Sequence, residues 1–220
     1  GYMKRHIKEG ICDYEDGSPP DSAEAINYIY LMSWMAHIVQ NPGGRRPQRG
    51  EGTAAQKGHG KSTLSSIYCQ IFGEYGKVVS RAKDLNGDFN ESVRECLFVA
   101  GEELTFVNNQ PGWDILKSLI TSPIISIEGK GDNPGQAKNY VNMMLTSNLD
   151  FVIPAGTDER RYFFLHVKKK PYQTKAFFRK LYAQMADGGL EAMLYDLLNF
   201  NVEIDVTDAP KTEALNVLFE

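Results

Sequence analysis

The chain has 220 residues, 42% hydrophobic and 11% aromatic, with 24 Lys and Arg against 28 Asp and Glu for a formal charge of −4. That is enough apolar material for a packed domain and it excludes global disorder. No apolar run approaches the roughly 18 residues of a membrane-spanning helix, and the opening Gly1-Tyr2-Met3-Lys4-Arg5 lacks the apolar core of a signal peptide.

Residues 1–22 read as polar and close on Gly17-Ser18-Pro19-Pro20-Asp21, a turn or linker signal. Asp21 or Ser22 caps a predicted helix whose apolar positions Ile26, Tyr30, Trp34 and Ile38 recur at helical spacing, until Pro42-Gly43-Gly44 stops it. Residues 43–60 are rich in Gly, Arg and Gln and read as loop, with only Thr53-Ala54-Ala55 offering a short small-residue strand. Residues 61–72 predict a helix with Leu64, Ile67, Tyr68 and Ile71 on one face. Short runs follow: Val78-Val79, then Leu97-Phe98-Val99-Ala100 as a buried strand, Trp113 to Ile120 as a helix, and Ile124 to Glu128 alternating as a strand does. Val141 to Leu145 is apolar again, and Tyr162 to Val167 is strongly β-prone. Two helices, over 174–186 and 189–200, come last, and the tail from Asn201 gives weak signals. Strands alternating with helices predict a layered α/β domain with a mainly parallel sheet. Cys12, Cys69 and Cys96 form no CxxC pair, which argues against a disulfide framework or structural zinc and fits a reducing compartment.

Gly58-His59-Gly60-Lys61-Ser62-Thr63 is the sharpest local feature. Glycines let main-chain N–H groups face an anion with no Cβ in the way, and the helix N-terminus that follows adds its partial positive charge. In a phosphate loop of this kind Lys61 reaches the β- and γ-phosphates and the Ser62 hydroxyl ligates Mg²⁺. The pattern GxxxxGK[ST] is broken at Ala55, where it has glycine, and residues 45–55 contain no large apolar side chain.

Downstream, the apolar run ending at Gly101 meets Glu102-Glu103. A phosphate-loop ATPase needs one carboxylate for the Mg²⁺ shell and another to polarise the attacking water. Glu102 takes the first role and Glu103 the second, and the assignment can be reversed. Met143 to Ser147 ends at Asn148, a neutral donor on a strand end that suits contact with the γ-phosphate or the water. Ile124 to Lys138 reads as a strand entering a hairpin, with Gly, Asn and Pro supplying the turn. Lys130 and Lys138 are expected near its tip, where a lysine can grip a phosphate of single-stranded nucleic acid. Arg160 and Arg161 stand directly before the Tyr162 run. One suits stabilising a phosphoryl group across a subunit boundary, and the other a salt bridge with Asp158 or Glu159. The four histidines, His6, His37, His59 and His166, show no metal-ligand spacing, and there is no GxSxG.

Taken in order, these blocks resemble the superfamily 3 helicases, most closely the helicase domain of phage and plasmid primase–helicases and their poxvirus-type relatives. Trp34 through Gln40-Asn41-Pro42 resembles that family's helix ending in Gln-x-Pro, Gly58 to Thr63 its Walker A, and Leu85-Asn86-Gly87-Asp88-Phe89-Asn90 its Gly-x-Phe-Asn block. Glu102-Glu103 is similar to its Walker B. Leu116 to Thr121 with Ile127 to Gly131 is similar to its B′ helix and hairpin, Thr146-Ser147-Asn148 to its motif C, and Glu159 to Phe163 to its arginine-finger block. The matching region spans about residues 30–167.

The resemblance implies an AAA-like phosphate-loop core over residues 26–170 with a central five-stranded parallel sheet. A polar segment over 1–25 and a helical segment over 171–220 would flank it. It implies ring assembly, usually hexameric, Mg²⁺-dependent ATP hydrolysis at subunit interfaces, 3′→5′ movement on single-stranded DNA, and a covalently linked primase or polymerase domain. A replicative motor in the cytoplasm of a bacterial host or in a virus replication compartment follows. The alternatives are an ATPase-weak or inactive scaffold that recruits replication partners, favoured by Ala55, and an ATP-driven initiator or loader that melts an origin. The charge of −4, which as an average argues against DNA, is then the wrong quantity. Acids at 13, 15, 16, 21 and 24 and at 203, 205 and 208 lie outside the motif region, and positive charge is needed only along the strand's path.

Overall fold

The computed structural model describes residues 1–43, 50–54, 60–80, 93, 95–102, 110–127, 135–147 and 162–213. A short helix α1 (Tyr2–Arg5) continues into a π-helical turn over His6–Ile11, followed by α2 (Ala23–Gln40), β1 (Gly50–Ala54) and α3 (Lys61–Gln70). Then come β2 (Gly76–Val79), β3 (Phe98–Glu102), α4 (Gln110–Thr121), β4 (Ile124–Ile127), β5 (Gly135–Lys138), β6 (Asn142–Ser147) and β7 (Tyr162–His166). Helices α5 (Lys175–Gln184) and α6 (Leu190–Leu198) flank a π-helical turn over Met185–Gly189. No helix among the described residues is long and apolar enough to cross a membrane.

One sheet takes the order β2-β3-β6-β1-β7, and every neighbouring pair in it runs parallel. Period-two alternation along the strands builds two cores. Phe98, Ala100, Met144, Phe163 and Leu165 pack on one face with α2, α3, the N-terminal helical segment and the C-terminal helices. Val99, Met143, Leu145, Tyr162 and Phe164 pack on the other with Leu116, Leu119 and Ile120 of α4. The layered α/β architecture expected from the sequence is therefore present, with the sheet between helices.

Helix α2 lies at the centre of the first core. Ser22 caps it by accepting from the Ala25 N–H at 3.2 Å. Tyr30, Leu31, Trp34, Met35 and Ala36 are all buried, whereas Ile26, part of the predicted apolar face, is 44% exposed. Trp34 meets Phe98 edge-on at 6.3 Å between ring centres, and the Tyr68 hydroxyl donates to the Met35 carbonyl at 2.7 Å.

Three expectations need correction. Residues 43–60 are not all loop: Gly50–Ala54 form β1, flanked on both sides by β6 and β7. Two parallel ladders supply the hydrogen bonding that overrides the low strand propensity of Gly-Glu-Gly-Thr-Ala. The N-terminal segment is not a polar linker either. Its helical residues bury Met3, Ile7 and Ile11 in the first core, because Met3, Ile7 and Ile11 recur every four residues along one face. The third concerns Lys138. Register pairs Ile127 with Gly135 toward the tip and Ile124 with Lys138 at the other end of the hairpin. Lys138 therefore lies at the base, about 10 Å of strand from Gly135 at the usual rise per residue. There Asn139 Nδ2 donates to the carbonyls of Leu119 and Ser122, each at 2.8 Å, and ties the hairpin to the end of α4.

Candidate functional site

Side-chain parity decides which strand residues face α3. Phe98 and Ala100 belong to the core beneath α3, so Glu102 continues that row. On β6 Met144 does the same, and Thr146 follows it. The ladders place Glu102 level with Thr146, and Thr146 level with Thr53 of β1. Carboxyl ends of parallel strands thus gather one carboxylate and one hydroxyl directly beneath the start of α3, the usual position of a ligand crevice in such sheets.

Helix α3 supplies the opposing groups. Ser62 and Ser66 stand one turn apart and share a face. Ser66 Oγ donates to Glu102 Oε1 at 2.5 Å, and Ser62 Oγ lies 3.3 Å from Thr146 Oγ1. Thr146 directs its own proton to the Gly101 carbonyl at 3.4 Å, so Ser62 is the donor in that pair and keeps oxygen lone pairs for another ligand. Lys61, the first residue of α3, is 5% exposed. Thr63 turns the other way and shares a hydrogen bond with the Tyr182 hydroxyl of α5 at 3.0 Å.

Gly60 caps α3 in the left-handed region, φ 77° and ψ 14°. A Cβ built there would lie 2.6 Å from His6 Cε1 and from Phe178 Cζ, so conformation and space both require glycine. The Gly60 carbonyl takes the Thr63 N–H at 3.1 Å and, from the N-terminal helical segment, His6 Nε2 at 2.8 Å. His6 is fully buried. Burial pushes its imidazole below the ordinary histidine value, against the opposite pull of the Gly60 carbonyl. The Gly60 carbonyl can only accept, so Nε2 carries a proton and donates it.

Of the residues singled out in the sequence, Gly60, Lys61, Ser62 and Glu102 come together here, while Thr63 faces α5. Gly58, His59, Glu103, Lys130, Asn148, Arg160 and Arg161 lie outside the described residues, as do Ala55 and the Leu85 to Asn90 block. Lys138 is exposed on the separate β4–β5 ribbon. Ser66 and His6 carried no motif signal. Ser66 is legible only as the residue one turn after Ser62 on the same helix face, and His6 only through its contact with Gly60, 54 positions away.

Hard oxygens from a hydroxyl and a carboxylate fit Mg²⁺, which takes one or two protein groups and fills its remaining positions with water and phosphate. Among the described residues no cluster of three His, Cys, Asp or Glu side chains stands ready to hold a metal alone.

The profile of a family described as a family of unknown function, DUF5906, matches residues 53–161. No curated protein matches the chain. Among solved structures the fold is similar to apo structures of the NrS-1 C-terminal region. One superposes with a TM-score of 0.78 at 17% identity over 99% of this chain and 50% of that one. A second, an A form, gives 0.76 at 18% identity over 98% and 50%. The chain spans about half the length of these relatives, and at such identity the likeness is one of fold.

Proposed function

We propose that the chain is the ATPase motor domain of a DNA helicase of the superfamily 3 type, from a replicative primase–helicase of a phage, plasmid or other mobile element. One observation carries the reading. Glu102 at the end of β3 and Ser62 at the start of α3 converge beside Gly60 and Lys61 at the carboxyl edge of a parallel sheet, with Ser66 bonded to Glu102 at 2.5 Å. The helicase-type resemblance of the ordered motifs and the shared fold with the NrS-1 C-terminal region support it.

In this reading ATP lies across the start of α3, with its phosphates on the Gly58–Ser62 main chain and on Lys61. Mg²⁺, when bound, draws charge off the β- and γ-phosphates. Ser62 and Glu102 would hold it, with Ser66 aiming the Glu102 carboxylate. Glu103 polarises the attacking water, Asn148 contacts the γ-phosphate, and Arg160 or Arg161 reaches a neighbouring subunit's nucleotide in a ring, expected to be hexameric. Lys130 on the hairpin grips single-stranded DNA, so that the nucleotide state at each interface moves the strand. A linked primase or polymerase domain belongs to the same proposal.

The test is hydrolysis of ATP by the wild-type chain and by Lys61→Ala, with and without single-stranded DNA. We expect the substitution to abolish turnover. Turnover unchanged in Lys61→Ala overturns the site, and a wild-type chain with no turnover under either condition favours a recruiting scaffold. Forked DNA then separates a helicase from an origin-melting initiator, since only the former unwinds it processively.

A further inference from the structure

We infer that His6 is a positioning residue for nucleotide binding, fixing the Gly60–Lys61 peptide through one hydrogen bond so that the N-terminal helical segment and α5 set the affinity of the phosphate loop. This rests on the reading of Gly58 to Thr63 as that loop. The Gly60 carbonyl has two lone pairs. The Thr63 N–H takes one and closes the first turn of α3, and His6 Nε2 takes the other at 2.8 Å. With both directions occupied the peptide plane cannot rotate, and the Lys61 N–H on its far side is aimed.

The packing around His6 leaves it little freedom. Its ring meets Phe178 edge-on at 5.5 Å and Phe177 at 6.3 Å, both from α5. Two glycines make room for it. A Cβ on Gly60 would lie 2.6 Å from His6 Cε1, and one on Gly10 would lie 2.8 Å from His6 Nδ1. His6 Nδ1 is itself buried with no hydrogen-bond partner among the described residues. Leaving a buried nitrogen unsatisfied is destabilising, and a residue serving only as core filling avoids that by being apolar. The Nε2–H donation is what a leucine at this position cannot make.

The experiment compares wild type, His6→Leu and His6→Gln in the full chain. Gln sets an amide N–H near the place of Nε2, and Leu keeps the bulk without the donor. The readings are Kd for Mg²⁺–ADP by calorimetry, kcat at saturating ATP, and amide hydrogen exchange of residues 60–68 without nucleotide. For His6→Leu we expect Kd to rise about tenfold, kcat to stay within about threefold, and exchange to quicken about tenfold, with Gln restoring both binding and exchange. Leu matching wild type in Kd and exchange overturns the inference, as does Gln failing wherever Leu fails, since packing alone then matters. Should Leu not fold, His6→Met gives the same readings. A wild type that binds no nucleotide overturns the functional reading and the affinity claim together. A nucleotide-binding wild type with an indifferent His6→Leu overturns the His6 inference alone.

Discussion

Ser66 is not part of the GKST sequence, yet it makes the shortest contact in the site, donating to Glu102 Oε1 at 2.5 Å. A carboxylate left to itself at a strand end samples several rotamers, and a fixed donor one helical turn from Ser62 holds one of them. Groups that orient metal ligands in this way typically tune affinity by ten- to a hundredfold. Ser66→Ala should therefore raise the Mg²⁺ needed for half-maximal ATP hydrolysis about tenfold and lower turnover far less at saturating Mg²⁺. A magnesium titration decides it, and an unshifted midpoint means that Glu102 does not serve the metal. Lys61, Ser62 and Glu102 were legible in the sequence because each stands in a local pattern of glycines, apolar strand residues and a helix start. Ser66 and His6 were not, because their roles depend on pairs 36 and 54 positions apart that only the fold brings together.

At the scale of elements, strands with continuous apolar runs were legible and β1 was not. Its sequence, Gly-Glu-Gly-Thr-Ala, signals loop, and strand pairing on both sides is information that no window of the chain contains. Helix α2 runs where the spacing predicts, but it buries more of its circumference than the Ile26, Tyr30, Trp34 and Ile38 stripe implies. Tyr30, Leu31, Trp34, Met35 and Ala36 are buried because α2 has the sheet on one side and α6 on another. Gln40, the last residue of α2, shows how that contact is fastened. Its Nε2 donates to the carbonyls of Leu197 and Phe200, each at 2.8 Å, where α6 ends and its carbonyls lack partners within the helix. The C-terminal helix, without a motif of its own, is thereby bound to one of the motif blocks. Gln40→Leu removes both donations at similar volume and should cost about 1–3 kcal/mol. That corresponds to a fall in the thermal midpoint of roughly 2–12 °C for a domain of this size. A midpoint unchanged in a melting experiment means α6 is held by its apolar face alone.

Over the whole molecule the charge of −4 resolves into local balances rather than a uniform acidic field. Three of the N-terminal acids face lysines. Asp13 pairs with Lys168 at 3.0 Å and also with Lys170, Glu15 pairs with Lys170 at 2.7 Å, and Asp16 pairs with Lys8 at 2.5 Å. Burial opposes the charge on Asp13, but the Lys170 and Lys168 ammonium groups outweigh it and hold the carboxyl below its ordinary value. The Lys168-Lys169-Lys170 run, which by sequence resembles a basic patch, is thus partly spent on the N-terminal segment. On the proposed helicase reading, positive charge for a DNA strand would then come from the hairpin. Binding to single strands loses affinity with a log–log salt slope of about −0.7 per phosphate neutralised. If Lys130 holds one phosphate, Lys130→Ala should weaken binding to a dye-labelled oligo-dT and make that slope shallower by about 0.7. Lys138→Ala should change affinity less than twofold, because the β4–β5 register puts Lys138 at the anchored base of the ribbon. Equal losses in the two variants would mean that the strand runs along the ribbon rather than over its tip. One such contact per subunit gives only modest, salt-sensitive affinity. In the proposed ring, tight engagement would come from several hairpins on one strand, each further contact forming at high effective concentration, so affinity is expected to rise steeply with the number of chains assembled.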